Sequence, residues 1–146
     1  MKKIDLLPLK YQFTSKPLLV GGRAKEYYGI RKSGPDTDLV VSQKDYENLA
    51  KKYPENKADL FGDLGVKLFG FEIWSTISWF NYDFLSEGSI GEKSYKIISL
   101  EKLLFLTALA IKKPKYLDDL RFIVRKIEEL QRKKGKNSFI SSISHK

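Results

Sequence analysis

Short apolar runs bounded by Gly, Pro or Asp alternate along the chain with segments in which apolar residues recur every three or four positions. The runs are typical of buried strands, and the wider spacing is typical of helices with one apolar face. Strands are predicted at residues 16–22, 36–42, 66–77 (with a turn near Gly70) and 93–99. Helices are predicted at residues 23–31, 43–54, 100–112 and from Pro114 to about residue 133, with Ser42 and Ser99 as N-caps.

The order of these elements, β-α-β-α-β-β-α-α, predicts an α/β fold with a small mixed β-sheet flanked by helices and with the C-terminal helices packed against it. Residues 1–134 are expected to form one domain, and residues 135–146 a mobile tail. Residues 55–65 are expected to be a turn-rich link. The last helix is expected to pack through an apolar stripe formed by Leu117, Leu120, Val124, Ile127 and Leu130.

The composition excludes several kinds of catalytic site. The 146 residues include no cysteine and one histidine, His145, which is the penultimate residue. Disulfides, thiol nucleophiles, histidine triads and the usual structural zinc sites are therefore excluded. Carboxylates, lysines, hydroxyls and bound metals remain for any catalysis. No apolar run has the length of a membrane span, so a soluble, cytoplasmic protein that does not bind membranes is expected.

The positive charge is concentrated near the C-terminus. The formal net charge is +9, and residues 112–146 hold eleven basic and four acidic residues, a local excess of seven. A phosphate-rich partner such as RNA is one interpretation, and a solvated helix followed by a tail is the other. The cations that would contact RNA are Arg121, Arg125, Lys126, Arg132, Lys133 and Lys134.

Asp36 and Asp38 stand two residues apart at the start of an apolar run. Residues i and i+2 of a strand point to the same face, so both carboxylates can converge on metal ions. Upstream, an apolar run ends in Gly21 and Gly22, where a ligand can approach the backbone closely and a helix begins. The combination indicates Mg²⁺-assisted nucleotidyl transfer.

The segment VGGRAKEYYGIRKSGPDTDLVV resembles the signature of the DNA-polymerase-β-like nucleotidyltransferase superfamily, over residues 18–42. The version here is most similar to small stand-alone bacterial members, the antibiotic-modifying and the abortive-infection or toxin-type nucleotidyltransferases. A looser similarity covers ISLEKLLFLTALAIKKPKYLDDLRFI, in which Lys115, Asp118, Asp119 and Leu120 match the C-terminal helices of the family. Thr107 stands where many relatives carry a lysine.

The resemblance implies a third carboxylate on a neighbouring strand, and Glu72 is its best match by position, with Asp59 and Asp63 as competitors. It also implies that Asp36 and Asp38 bind two Mg²⁺ ions, for which Mn²⁺ can substitute. Glu72 would be a metal ligand or the base. An acceptor hydroxyl would attack the α-phosphorus of an NTP, and pyrophosphate would leave.

The nucleotide site implied by the same resemblance consists of Gly21, Gly22 and the backbone at Arg23, with Gly22 as the phosphate turn. Four cations are candidates to neutralise the triphosphate: Arg23, Lys25, Arg31 and Lys32. An ordinary surface position is the favoured alternative for Lys25 and Lys32. The aromatic run at residues 74–82 is expected mainly to fill the core, with stacking on a base as the alternative.

The resemblance therefore implies an enzyme that moves an NMP from an NTP to an acceptor hydroxyl, on an RNA or tRNA end, a small molecule or a protein. One alternative is a weakly active or inactive module that binds or regulates. Another is a catalytic subunit that needs a separate helical partner or a second copy of the chain.

Overall fold

The computed structural model of the chain describes residues 1–60, 62–110 and 114–134. Nine strands are described in this part of the chain: β1 (Leu18–Val20), β2 (Thr37–Val40), β3 (Lys57–Leu60), β4 (Asp63–Leu68), β5 (Phe71–Trp74), β6 (Thr76–Ile77), β7 (Phe80–Asn81), β8 (Ile90–Gly91) and β9 (Lys96–Ile97). The helices are α1 (Gly21–Tyr27), α2 (Gln43–Lys52), α3 (Tyr82–Leu85), α4 (Leu100–Leu109) and α5 (Pro114–Lys134). Two short 3₁₀ turns span Leu7–Leu9 and Pro54–Asn56.

Seven strands form one mixed sheet in the order β3-β4-β5-β2-β1-β9-β8, and β6 and β7 form a separate hairpin. The pairs β2–β5 and β1–β9 are parallel, and the other neighbours in the large sheet are antiparallel. The prediction of a mixed α/β fold with a sheet flanked by helices is confirmed, but the sheet is larger than predicted. The central strands β1 and β5 are buried along their whole length.

The chain divides into two compact units, Met1–Leu103 and Leu104–Lys146, and the first contains the whole sheet. The predicted single domain over residues 1–134 stays a prediction, as does the packing of the C-terminal helices on the sheet. The predicted tail, residues 135–146, lies outside the described residues. No helix in the described part of the chain is both long enough and apolar enough to span a membrane.

The predicted turn-rich link at residues 55–65 is wrong. It contains β3 and the start of β4, whose residues pair from Lys57↔Val66 to Leu60↔Asp63. The segment is polar and includes Asp59 and Asp63, and aspartate is disfavoured in strands. Its extended conformation therefore depends on the pairing of β3 with β4 and of β4 with β5. The predicted turn near Gly70 is confirmed, since φ is +81° there and separates β4 from β5.

The two serine caps are confirmed. Ser42 Oγ accepts the amide of Asp45 at 3.2 Å, and Ser99 Oγ accepts the amide of Lys102 at 3.1 Å. The helix predicted at residues 23–31 begins earlier, at Gly21, and ends at Tyr27, close to Gly29, whose φ is +73°. This early start places the first turn of α1 directly against the end of β1.

The packing predicted for the stripe on α5 is only partly correct. Leu120 and Ile127 are half-buried, but Leu117, Val124 and Leu130 are 40–42% exposed. The most buried positions are instead Asp119 and Ile123, which lie four residues apart on one helix face. The buried face is therefore rotated from the predicted stripe and includes a carboxylate.

Candidate functional site

The candidate site lies where the N-terminal ends of β2 and β5 meet the C-terminal end of β1. Asp38 stands between Val20 on β1 and Glu72 on β5 in the strand register. Register partners of neighbouring parallel strands share a sheet face, so Glu72 joins Asp38 on one side of the sheet. The amide of Thr37 donates to Gly70 O at 2.8 Å and links the start of β2 to the turn before β5.

Asp36, Asp38 and Glu72 form the carboxylate cluster. The charge of Asp36 raises the pKa of both Asp38 and Glu72, so the three carboxyls lie close enough to act on one another. Glu72 is buried, whereas Asp36 and Asp38 are half-buried. The structure thus brings together the three carboxylates predicted from the sequence.

The electrostatics of the carboxylate cluster show an excess of negative charge. Burial, followed by the charges of Glu72 and Asp36, raises the pKa of Asp38 to about 7, against an opposing effect of Lys25 and Arg23. Burial likewise raises the pKa of Glu72, with Asp36 adding to the effect and Lys67 opposing it. Both pKa shifts mean that the surrounding protein offsets only part of the free-energy cost of ionising Asp38 and Glu72 in the fold.

Gly21, rather than Gly22, is the glycine that the carboxylate cluster requires. Gly21 has φ +65°, and a Cβ placed on it would stand 3.0 Å from Asp38 Cγ and closer still to Oδ2. The carboxylate of Asp38 therefore occupies the space of the absent side chain. Gly22 has no such constraint, because the nearest atoms to a Cβ there, in Ser33 and Gly34, are 3.8 Å away.

The predicted nucleotide-binding cations have different roles in the structure. Arg23 Nε donates to Thr37 Oγ1 at 2.8 Å, and its Nη2 donates to Pro35 O at 3.1 Å, so Arg23 holds both residues that flank Asp36. Arg31 Nη1 lies 3.9 Å from the Cβ position of Gly22 and donates to Lys32 O at 3.1 Å. Arg31 thus places a guanidinium at the glycine turn.

The surface position favoured for Lys25 is wrong: its side chain is buried, with 3% exposure, and its charge acts on Asp38. Lys32 is exposed, as the surface alternative expected. The sequence interpretation also missed Thr37 and Lys67. Lys67 Nζ lies 3.9 Å from Glu72 Oε1 and pairs with Glu72 across β4 and β5. Only the strand register, which the sequence does not display, identifies Lys67.

The competitors of Glu72 take part in turns. Asp59 Oδ1 accepts the amide of Gly62 at 2.7 Å, and the Asp63 carboxylate accepts the amide of Ser78 at 3.1 and 3.2 Å. Neither raises the pKa of Asp38, whereas Glu72 does. The geometry therefore favours Glu72 as the third carboxylate.

The aromatic run at residues 74–82 is divided between the core and the surface. Trp74 and Tyr82 are buried, as expected for core residues, but Trp79 is 95% exposed at the tip of the β6–β7 hairpin. Of the residues matched by the looser similarity, Asp119 is buried and Asp118 forms an exposed ion pair with Arg121 at 3.4 Å. Thr107, which departs from that similarity, is also buried. The side chain of Lys115 lies outside the described part of the structure.

The donor set of the carboxylate cluster suits a hard divalent cation, since Mg²⁺ and Mn²⁺ prefer carboxylate oxygens. A cation held by these carboxylates would offset the repulsion between their charges. Within residues 1–60, 62–110 and 114–134, no group of three or more Asp, Glu, His or Cys side chains is placed so that it could hold a metal ion.

No protein-family model, curated protein or solved structure matches the chain.

Proposed function

We propose that the chain is a Mg²⁺-dependent nucleotidyltransferase of the DNA-polymerase-β-like kind, which moves an NMP from an NTP to an acceptor hydroxyl. The observation that carries the proposal is the meeting of three carboxylates with the Gly21 turn. Asp38 lies against Gly21 and beside Glu72 in the strand register, and the charge of Asp36 acts on both of these carboxyls. Such a site can bind divalent cations through its carboxylates and bind the phosphate groups of a nucleotide beside them.

Asp36, Asp38 and Glu72 would hold Mg²⁺, with Mn²⁺ as a substitute. When bound, the metal supplies positive charge to the phosphates and lowers the pKa of the acceptor hydroxyl. Glu72, whose pKa is raised by burial, would take the proton of that hydroxyl. The hydroxyl oxygen bonds to the α-phosphorus, the bond to the bridging oxygen breaks, and pyrophosphate leaves.

The three cationic residues around the glycine turn would have different roles. Arg31 would neutralise phosphate charge, because its guanidinium lies beside Gly22. Arg23 is a positioning residue, because its hydrogen bonds to the Thr37 hydroxyl and the Pro35 carbonyl hold the residues on both sides of Asp36. Lys25 limits the repulsion within the carboxylate cluster from a buried position.

Metal binding is tested first, independently of the acceptor. Thermal unfolding of the wild type is measured with increasing MgCl₂ or MnCl₂ near neutral pH, together with Asp38→Asn and with Asp59→Asn as the matched control. Binding to the folded state raises the midpoint. We expect a rise for the wild type and Asp59→Asn and little or none for Asp38→Asn. An equal rise in all three, or no rise in the wild type, would contradict the proposal.

The reaction is tested with NTPs labelled at the α- or the γ-phosphate, incubated with Mg²⁺ and total RNA or cell extract. Nucleotidyl transfer attaches the α-label to the acceptor and releases the γ-label as pyrophosphate. Attachment of the γ-label would instead show phosphoryl transfer. Metal-dependent NTP binding without any labelled product would favour the alternative, a module with the same site and little or no catalysis.

A further inference from the structure

A cavity of about 480 Å³ lies in the first unit, between the N-terminal segment and the residues that precede β9. Lys16 lines it just before β1, and Lys93 and Ser94 line it just before β9. The carboxylate cluster lies at the other end of β1, where Val20 pairs with Asp38. The cavity and the candidate active site are therefore at opposite ends of β1.

The wall formed by the N-terminal segment is held in place by side chains from several elements. Tyr53 Oη donates to Leu9 O at 2.7 Å, and Tyr82 Oη donates to Lys16 O at 2.6 Å. Lys52 Nζ also donates to Lys10 O. A long segment with almost no regular secondary structure is thus fixed before any ligand binds, which lowers the entropic cost of binding.

Asp45 fixes the middle of this segment. Its carboxylate accepts the Tyr11 hydroxyl at 2.7 Å, the Thr14 amide at 3.1 Å and the Ser15 amide at 3.2 Å. Asn48 donates to the Tyr11 hydroxyl at 3.0 Å, so the ring of Tyr11 is held from two sides. Phe13 packs edge-on against that ring with centroids 5.0 Å apart, and both rings line the cavity.

The charge of the lining favours an anion. Lys10, Lys16 and Lys93 line the cavity, against one carboxylate, Asp5. Asp5 accepts the amide of Leu7 at 3.0 Å, so part of its acceptor capacity is already used. Lys16 Nζ donates to Glu92 O at 2.7 Å, which holds an ammonium at the rim while leaving N–H groups for a ligand.

We propose that this cavity is a second binding site, which takes a nucleoside monophosphate unit. The phosphate would lie among Lys10, Lys16 and Lys93, and the base and sugar would lie on the side formed by Tyr11, Phe13 and the neighbouring aliphatic residues. The volume is in the usual range for small-molecule sites, about 300–1,000 Å³. The unit comes either as a free nucleotide or as part of an RNA strand. This inference does not depend on the proposed nucleotidyl transfer.

The test is calorimetric titration of the full chain with AMP, GMP, CMP and UMP in the presence of EDTA, so that no divalent metal contributes. Inorganic phosphate, the unphosphorylated nucleosides and a short single-stranded RNA are separate titrants. We expect a monophosphate to bind more tightly than phosphate or nucleoside alone. Tighter binding of the RNA that is weakened by changing Lys10 and Lys93 would identify a strand as the source of the unit, and equal binding would identify the free nucleotide.

Two double variants locate the site. Lys10→Glu with Lys93→Glu should weaken monophosphate binding about tenfold or more, because two cations of the lining are reversed. Lys44→Glu with Lys51→Glu makes the same change in net charge on the exposed surface of α2 and should leave the affinity within about twofold. Equal loss in both doubles, no loss in the first, or no binding of any monophosphate would overturn the proposal.

Discussion

At the scale of single residues, Gly21 and Gly22 provide a matched pair. Gly21→Ala should reduce the free energy of unfolding by about 2 kcal/mol or more, because φ is +65° and the new Cβ would overlap the Asp38 carboxylate. Gly22→Ala should have little effect, since the nearest atom is 3.8 Å away. Urea unfolding of both variants checks this.

The steric part of the Gly21 effect can be separated from the backbone part. Combining Gly21→Ala with Asp38→Ala removes the carboxylate that the new methyl group meets. The double variant should therefore be more stable than the sum of the single changes predicts. Additive effects would show that Asp38 does not occupy the space above Gly21.

The charge of Asp38 should destabilise the fold at neutral and alkaline pH. Its folded-state pKa, about 7, exceeds the ordinary 3.8, so between these values the folded state holds a proton that the unfolded chain has released. Stability is therefore lost as the pH rises through this window. Asp38→Asn should be more stable than the wild type by roughly 1–3 kcal/mol at pH 8, with buried Lys25 limiting the gain.

The measurement for Asp38 is urea unfolding from pH 4 to pH 8, without divalent metal. The advantage of Asp38→Asn should shrink toward pH 4, because the folded-state carboxyl stays protonated there and the unfolded-state carboxyl is close to its ordinary pKa of 3.8. A gap that does not depend on pH would mean that the amide changes packing rather than charge. Asp59→Asn, at an exposed turn, is the control and should show no comparable gain.

At the scale of elements, Asp45 attaches α2 to the N-terminal segment and has the opposite pH dependence. Burial opposes its ionised form, but the hydrogen bonds from Tyr11, Thr14 and Ser15 outweigh this and lower the pKa. Its contribution to stability is therefore present above its ordinary pKa and lost as the pH falls through the lower, folded-state value. Protonation would leave the donors of the segment without their charged acceptor.

Asp45→Asn should lower the free energy of unfolding by about 2 kcal/mol or more at neutral pH, because the amide cannot accept all of these hydrogen bonds. The difference from the wild type should shrink below about pH 4. Urea unfolding measures both. A change as small as that of the exposed control Asp59→Asn would show that the segment is held mainly by other contacts.

The β6–β7 hairpin has a strained turn at its tip. Ser78 and Trp79 have φ values of 49° and 73°, which are unfavourable for residues with a Cβ, and Trp79 is 95% exposed. Trp79→Gly should raise the free energy of unfolding by about 0.5–1 kcal/mol, because glycine accepts this backbone conformation and little buried surface is lost.

At the β4–β5 turn, a glycine with positive φ can be replaced by a residue with a Cβ, which is the reverse of Trp79→Gly. Gly70→Ala introduces a Cβ at φ +81°, with no atom within 4 Å to clash, and should destabilise by about 1 kcal/mol. Thermal or urea unfolding of both variants separates backbone strain from side-chain packing. If Trp79→Gly were destabilising, the indole would have to make contacts that stabilise the folded chain.

At the scale of the whole molecule, the net charge of +9 is the property that bears on RNA. Arg121, Arg125, Arg132, Lys133 and Lys134 of α5 are exposed, and Lys126 is half-buried. Two of these cations form ion pairs with acidic residues of their own helix, Arg121 with Asp118 and Lys133 with Glu129. Exposed pairs of this kind are weak, so they leave most of the positive field in place.

If RNA carries the acceptor hydroxyl, Lys133→Glu with Lys134→Glu should weaken RNA binding and make its salt dependence shallower by about two in the log–log slope. Filter binding at several salt concentrations measures both quantities. The control, Lys44→Glu with Lys51→Glu, changes the net charge equally on α2. Equal effects of the two doubles, or no RNA binding at low salt, would contradict an RNA-binding role for α5.

Much of the local structure followed from the sequence. The caps at Ser42 and Ser99 and the turn at Gly70 depend on the chemistry of a few neighbouring residues, and all three are present. Strand β3 was missed because its polar residues have little strand preference of their own. Its hydrogen bonds to β4 decide its conformation, and pairing between strands is not encoded within either one.

Burial of charge was also beyond the sequence interpretation. A lysine such as Lys25 usually lies on the surface, and an aspartate such as Asp45 is common and exposed in the first turn of a helix. Both side chains are nevertheless buried. Groups from other elements act on each of them: Lys25 and Asp38 on β2 interact through their charges, and the N-terminal segment donates hydrogen bonds to Asp45. Such compensation is a property of the folded arrangement, since a buried charge needs partners that approach in three dimensions.

The spacing of Asp36 and Asp38 and the two glycines that precede them can be read directly along the chain, because these are relations between near neighbours. The folded arrangement was needed to show that Glu72, rather than Asp59 or Asp63, lies beside the pair and that Gly21 is the glycine against Asp38. Both outcomes depend on the register of β2 with β5 and with β1. Register is set by how complete strands pack in a common core, and a local pattern does not determine it.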